Sequence, residues 1–209
     1  PLLLSAISFE MSDILPSLAL IGPLGAVVAV IFMKSMIYLG SIPSKLKLQS
    51  WQAPIIAGFA CGLCGMVFSD ILGLGTEILI SIITNEQNLA YLFALLIGKL
   101  ILTSICIGFG FFGGTFSPAL FLGGILGAII FQLPMTSFNP DLLSVLAVSG
   151  MAAVSSSVIG APITAIILVL ELTGSYEYAI AATFPIVICS FITSRTFGNS
   201  LFDLSLIHI

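Results

Sequence analysis

Gly113-Gly114-Thr115-Phe116-Ser117-Pro118, running on into Ala119-Leu120-Phe121-Leu122-Gly123-Gly124, sets a glycine-rich turn and then a helix start in the middle of a very apolar chain. The first N–H groups of a helix have no partner within it, and together with the helix dipole they attract anions. Gly113 and Gly114 let the chain turn sharply with no Cβ in the way. Pro118 falls in the first turn, where a missing N–H costs nothing. Within a bilayer, irregular backbone survives only where it lines a cavity or is buried in protein. The stretch therefore reads as an anion-sized backbone site inside a membrane. It reads equally as a hinge between two helices that holds no ligand.

Composition supports the membrane setting. The 209 residues are 59% hydrophobic and only 7% charged, against about 25% charged in a soluble domain; mean hydropathy is +1.27. Ile14 to Met33, Trp51 to Ser69, Leu142 to Leu170 and Tyr178 to Ser194 carry no charged residue, and Leu89 to Leu133 holds only Lys99. Segments of that length cross roughly 30 Å of hydrocarbon. Apolar runs fill the chain, so neither a signal peptide nor a single anchor explains them. Five Lys and Arg with no basic patch exclude nucleic-acid binding. The net charge of −4 rests on a handful of loop residues and says little about partners.

The apolar pattern predicts helices over Ile14 to Leu39, Gln52 to Phe68, Leu89 to Gly108, Phe116 to Leu133, Asp141 to Val154, Pro162 to Leu172 and Tyr178 to Thr196. Gly40 to Ser50, with Lys45 and Lys47, reads as a polar loop. Lys34 joins them, and the positive-inside rule puts that loop in the cytoplasm. Ser69 to Gly75 is a glycine-containing break, and Thr76 to Ile83 is too short to span alone. Gly58 and Gly62, with Gly65 beyond, allow close helix approach. Ser155-Ser156-Ser157 and Gly160-Ala161-Pro162 are expected to interrupt a helix, and Asn199 to begin a short final piece. Short and broken helices are the mark of a transporter or channel with a site at mid-membrane.

Other residues admit two readings each. Cys61 and Cys64 form a CxxC, the spacing of a redox pair or half a metal site. No second CxxC or nearby His completes a metal site, so the pair also reads as small residues on a packed helix face. Lys99 either raises the potential along an anion path, or snorkels or pairs with a carboxylate. Glu171, at a helix end, suits packing or capping better than proton carriage, and Glu77 suits a helix start. His208, the sole histidine, lies in a terminal tail. No catalytic residue, metal ligand set or cofactor motif emerges.

Gly114-Thr115-Phe116-Ser117-Pro118 resembles the GxFxP motif of the CLC family of chloride channels and proton/chloride antiporters. Its approach, Ser104 to Gly114, is SxxxGxGxxGG, and Leu122-Gly123-Gly124-Ile125-Leu126-Gly127 follows. Gly150-Met151-Ala152-Ala153 is similar to the family's AGMAA segment. Gly160-Ala161-Pro162-Ile163-Thr164-Ala165 with Val169-Leu170-Glu171-Leu172-Thr173 resembles its AP-[LI]-T-[AG] and E-[ML]-T segments. These matches fall in the family's order over Gly113 to Thr173.

The resemblance implies an all-α, polytopic membrane protein with broken and re-entrant helices, half of an inverted-repeat CLC-type fold. Residues 1–209 would form a single membrane domain fragment, the second half of the transport domain. The GSGIP-like and GREGP-like segments of the first half, with the gating glutamate, do not occur here, so a missing N-terminal half is an expected partner. The resemblance further implies chloride as substrate, protons as a second partner in an antiporter, a homodimer, and a multi-pass place in the inner membrane of a prokaryote. The backbone N–H groups of Thr115 and Phe116 would face the central anion, supported by Gly113, Gly114, Ser117 and Pro118. The family's final short helix presents a tyrosine hydroxyl to the same ion. The matching residue is Phe202, in Gly198-Asn199-Ser200-Leu201-Phe202, and phenylalanine donates no hydrogen bond. Phe202 is otherwise a core or lipid-facing aromatic. Two other readings stay open: a broken-helix symporter for an organic solute, and a membrane assembly component that transports nothing.

Overall fold

The computed structural model describes residues 11–49, 51–84, 87–133 and 140–198. Phe202, His208 and the expected final short piece lie outside them. Among the described residues the chain forms α1 (Met11–Gly40), α2 (Ile42–Lys45), α3 (Gln52–Val67), a 3-10 turn (Ser69–Ile71), α4 (Thr76–Thr84), α5 (Leu89–Gly108), α6 (Phe116–Phe131), α7 (Pro140–Ile159), α8 (Pro162–Thr173) and α9 (Tyr176–Phe197). Four stretches, Ile14–Lys45, Leu89–Gly108, Leu142–Ile159 and Tyr176–Phe197, are long and apolar enough to cross a membrane. Helices α3, α6 and α8 are apolar but shorter.

The centre is α6 against α7. Apolar burial alone does not hold helices together in lipid, whose tails are as apolar as leucine; close packing does. Here small residues let the backbones touch. A Cβ added to Gly123 would run into the carbonyl oxygen of Gly150 and stand 2.8 Å from the Met151 Cα. One added to Gly127 would meet the Leu146 carbonyl oxygen and stand 2.6 Å from the Ala147 Cα. Phe121 to Phe131 are buried without exception. Around this pair, α1 and α9 pack on α7, α5 packs on α6 and α1, α8 packs on α7 and α9, and α4 lies across α6 and α7. Gly40 and Gly108 bring α1 and α5 to backbone contact, and a 2.6 Å bond joins the Ser35 and Ser104 hydroxyls.

Three expectations are corrected. Helix α7 runs unbroken through Ser155-Ser156-Ser157 to Ile159. Ser155 donates to the Ala152 carbonyl at 3.2 Å and Ser156 to that of Ala153 at 2.9 Å, so these hydroxyls bond back along the helix instead of opening it. Ser156 also meets Ser190 at 3.2 Å, and Ser157 donates to the Cys189 Sγ at 3.0 Å, which makes the serines a polar seam between α7 and α9. Second, the loop from Gly40 contains the single turn of α2, begun by Pro43 near its start. Third, the glycines of α3 bring no helix close. A Cβ on Gly62 would meet nothing within 4 Å, and α3 buries only Ala53 and Ala57 while exposing Ile55, Phe59, Leu63 and Met66. Cys64 is likewise exposed while Cys61 is half-buried against the core, so one cysteine of the CxxC sits on a packed face and the other does not.

Candidate functional site

Helix α6 begins where α5 has ended and residues 109–114 run as irregular backbone. The sharp turn falls at Gly110, with φ +95°; Gly113 and Gly114 do not adopt positive φ. Their service is a different one. A Cβ at either would meet nothing within 4 Å, so the backbone leading into α6 lies uncovered. Thr115 is the N-cap, with φ −83° and ψ −14°, and its hydroxyl caps nothing. The first backbone bond of this start is Ala119 N–H to the Thr115 carbonyl, at 3.2 Å. Among the described residues the N–H groups of Thr115, Phe116 and Ser117 have no backbone acceptor, and Pro118 has no N–H to satisfy.

A second irregular segment faces this helix start. Residues 72–75 link the 3-10 turn to α4, with Gly73 at φ +64° and Gly75 at φ +71°. A side chain at Gly75 would collide with the Phe121 ring as well as strain the backbone. Ser117 reaches across, its hydroxyl donating to the Leu74 carbonyl at 3.4 Å. At the other edge the Tyr91 hydroxyl donates to the Asp70 carboxylate, and the rings of Tyr91 and Phe68 stack at 6.4 Å. The end of α3 is thus pinned to the start of α5.

Lys99 ties the two segments together. It is 4% exposed, and its ammonium donates to the carbonyls of Ile71 and Gly73, both at 2.7 Å, while standing 4.8 Å over the Phe121 ring. It neither snorkels nor pairs with a carboxylate among the described residues. The carbonyls freed by the break at 69–75 are its counter-groups, which answers the question of how a cation rests inside an apolar span. A cavity of about 310 Å³ opens beside it, lined among others by Gly73, Lys99, Cys106, Gly113, Gly114 and Ser117. An uncapped helix start, an uncovered glycine turn and one buried cation therefore share a single hollow. Such a set can hold an anion by partial charges, with the full charge of Lys99 committed to the carbonyls beside it.

The sequence brings out Thr115, Phe116, Gly113, Gly114, Ser117 and Pro118, and the fold gathers them at one helix start. It also shows Lys99 but not its partners, the Ile71 and Gly73 carbonyls, whose only signal is the Gly73 and Gly75 spacing. Glu77 lies in the first turn of α4, as a helix start prefers. Glu171 is exposed, and the turn after α8 is closed instead by Thr173, which donates to Val169 at 2.7 Å and accepts from the Ser175 N–H at 3.3 Å.

The voltage gated chloride channel family matches residues 4–195. An H(+)/Cl(-) exchange transporter ClcA of Yersinia pestis bv. Antiqua (strain Angola) is 33% identical over 125 residues, 58% of this chain and 26% of the relative. Its counterpart in Vibrio campbellii (strain ATCC BAA-1116) is 30% identical over 161 residues, 73% of this chain and 33% of the relative. Among solved structures, a slow cyanobacterial Cl-/H+ antiporter superposes with a TM-score of 0.72 over 98% of this chain and 48% of its own, at 22% identity. The chain spans between a quarter and a third of the curated relatives' length, and about half of the antiporter's. On the extent of the family match, together with the shared fold, this chain belongs to the voltage gated chloride channel family.

Proposed function

We propose that this chain supplies the anion-holding helix start of a chloride transport protein, a channel or a proton/chloride antiporter. The observation that carries the reading is the uncapped start of α6, where among the described residues the Thr115 and Phe116 N–H groups have no backbone acceptor, and where the flanking Gly113, Gly114, Ser117 and Pro118 line an open cavity shared with a buried lysine. Backbone donors suit a transported ion because they offer partial charge, which binds without trapping. No covalent step or cofactor is needed for such movement. By the family resemblance Phe202, outside the described residues, is assigned to the same ion, and a side chain with no donor there would leave the central site one hydrogen bond short. Residues 1–209 act as one membrane domain working with a further helical half, a reading that the partial coverage of its relatives supports. The exposed apolar residues of α8 and α9 support a homodimer through that face. The bacterial relatives support a place in the inner membrane of a prokaryote.

The test is an amide-to-ester exchange at Phe116 in the complete protein, which deletes the N–H and keeps the side chain. A hydrogen bond to a charged partner contributes about 1.5–3 kcal/mol, so chloride affinity measured by calorimetry should fall about tenfold or more. Unchanged affinity in a folded protein overturns the assignment of Phe116.

A further inference from the structure

Positive charge in this chain is concentrated at one end of α1. Lys34, Lys45 and Lys47 are three of its five Lys and Arg, in a protein whose net charge is −4. No Asp or Glu occurs between Asp13 and Asp70, nor from residue 87 to 140, which includes the neighbouring end of α5 at Gly108. All three lysines are exposed, at the end of the span Ile14–Lys45 or just past it. Lys34 and Tyr38 lie four apart on α1 and so are neighbours on one face of that helix. The Lys45 ammonium stands 5.4 Å from the centre of the Tyr38 ring. Tyr38, Leu46 and Trp51 are exposed beside the lysines, and the Trp51 N–H donates to the Gln49 side chain at 2.6 Å. Lys47 closes the turn after α2 at φ +52°, where glycine is the usual residue. Its N–H donates to the Ser44 carbonyl at 3.1 Å, and the Leu48 N–H to that of Pro43 at 3.0 Å. Glycine would close the same turn with less strain, so the fold accepts a steric cost at the position of the third cation.

We propose that this patch docks an anionic phospholipid, with Lys34, Lys45 and Lys47 around its phosphate and its acyl chains along α1. The charge is complementary, and an ammonium binds a phosphate as a point charge. The place is that of a headgroup, because the patch sits at the end of an apolar span. Tyr and Trp settle at that level with the ring toward the chains and the polar tip toward water. Leu46, between two lysines, adds an apolar contact at the same depth. Lys34 lies six residues before Gly40, about 9 Å back along the helix axis, and its stem lets the ammonium rise toward the phosphate. A soluble acidic partner would leave Leu46 and Trp51 idle at the lipid edge; a lipid uses both. No residue of the patch lines the hollow at the start of α6, so the proposal does not rest on the chloride reading.

Trp51 is the only tryptophan of the chain, and four residues of backbone hold it within about 14 Å of Lys47, Cα to Cα. Its fluorescence therefore reports on this patch. The full chain is reconstituted in phosphatidylcholine vesicles that carry a minor fraction of brominated phosphatidylglycerol or, in parallel, of brominated phosphatidylcholine. Bromine quenches tryptophan at short range, so the ratio of the two quenching curves gives the lipid preference. A lysine near an anionic surface is worth up to about fivefold in binding. Phosphatidylglycerol should thus be preferred about tenfold or more at low ionic strength, and less in about 1 M salt. Lys34→Gln, Lys45→Gln and Lys47→Gln should each lower the preference about two- to fivefold, and the triple glutamine variant should lose it. The triple arginine variant, which keeps the charge, should retain it. All three side chains are exposed, so these substitutions leave the fold standing, which circular dichroism checks. Glycerol phosphate or a polyglutamate peptide added to the water should not displace the lipid. Equal quenching by the two lipids in the unsubstituted protein overturns the proposal without any variant. So does a preference that survives the triple glutamine variant, or one that either soluble anion abolishes.

Discussion

Lys99 shows how one residue settles an irregular backbone. Its two carbonyl partners lie 28 and 26 positions earlier in the chain. The charge in an apolar span is plain in the sequence, but contacts over that distance are not, because no local pattern encodes them. Lys99→Met keeps the length and removes both bonds. Each carbonyl left buried without a donor costs about 1–3 kcal/mol, so the variant should unfold at lower temperature in detergent, and its chloride affinity should drop as residues 71–74 loosen around the α6 start. Calorimetric scanning and chloride titration read the two effects separately; a variant equal to the parent in both would refute the role. At position 202 the direction reverses. On the register that the family resemblance assigns, Phe202→Tyr would add a donor to a charged acceptor, worth about 1.5–3 kcal/mol gross, less the cost of desolvating the hydroxyl. Chloride should bind more tightly in the complete protein, and weaker or unchanged binding would count against the register that assigns Phe202 to the ion.

Among the elements, the α6–α7 pair carries the sharpest sequence dependence. Gly123→Ala places a methyl group against the Gly150 carbonyl, where neither backbone can yield. Overpacking of this kind costs about 1–3 kcal/mol. Gly62→Ala meets open space in this chain and should change stability by less than about 0.5 kcal/mol. Paired unfolding measurements on the two variants decide the matter: equal losses would contradict the packing described. The spacing of glycines did not by itself distinguish these sites. Gly58 and Gly62 match the small-xxx-small pattern as well as Gly123 and Gly127 do, and only the fold reveals which face has a partner. The serine run misleads for a related reason. Ser155, Ser156 and Ser157 read as a break by composition, yet within the helix the first two hydroxyls find carbonyls one turn back and the third finds the Cys189 sulfur on α9. The helix spans themselves were legible to within a few residues, because apolar length is a property of each segment alone.

At the scale of the whole molecule, α9 presents an apolar stripe outward. Ile180, Phe184, Val187 and Phe191 are exposed at helical spacing, while Ala182, Ile186 and Cys189 face inward. Single cysteines at the four exposed positions, in a background without the native thiols, should cross-link two copies in the membrane, and those at positions 182 and 186 should not. Efficient cross-linking from another span, with none from α9, would move the interface elsewhere. The start of α6 was legible at the level of residues, since its motif is contiguous; the hollow it opens onto was not, since α3, α5 and the segment at 72–75 come from separate parts of the chain. The Lys99 clamp has one more consequence, for biosynthesis. Residues 71–75 leave the ribosome before α5 does, and their carbonyls must wait for an ammonium that has not yet been made. A charge at the centre of a helix costs about 2.5–3.5 kcal/mol at the translocon. Helix α5 therefore enters lipid more readily once the preceding re-entrant turn is at hand to receive it, which ties the insertion of the two segments into one step.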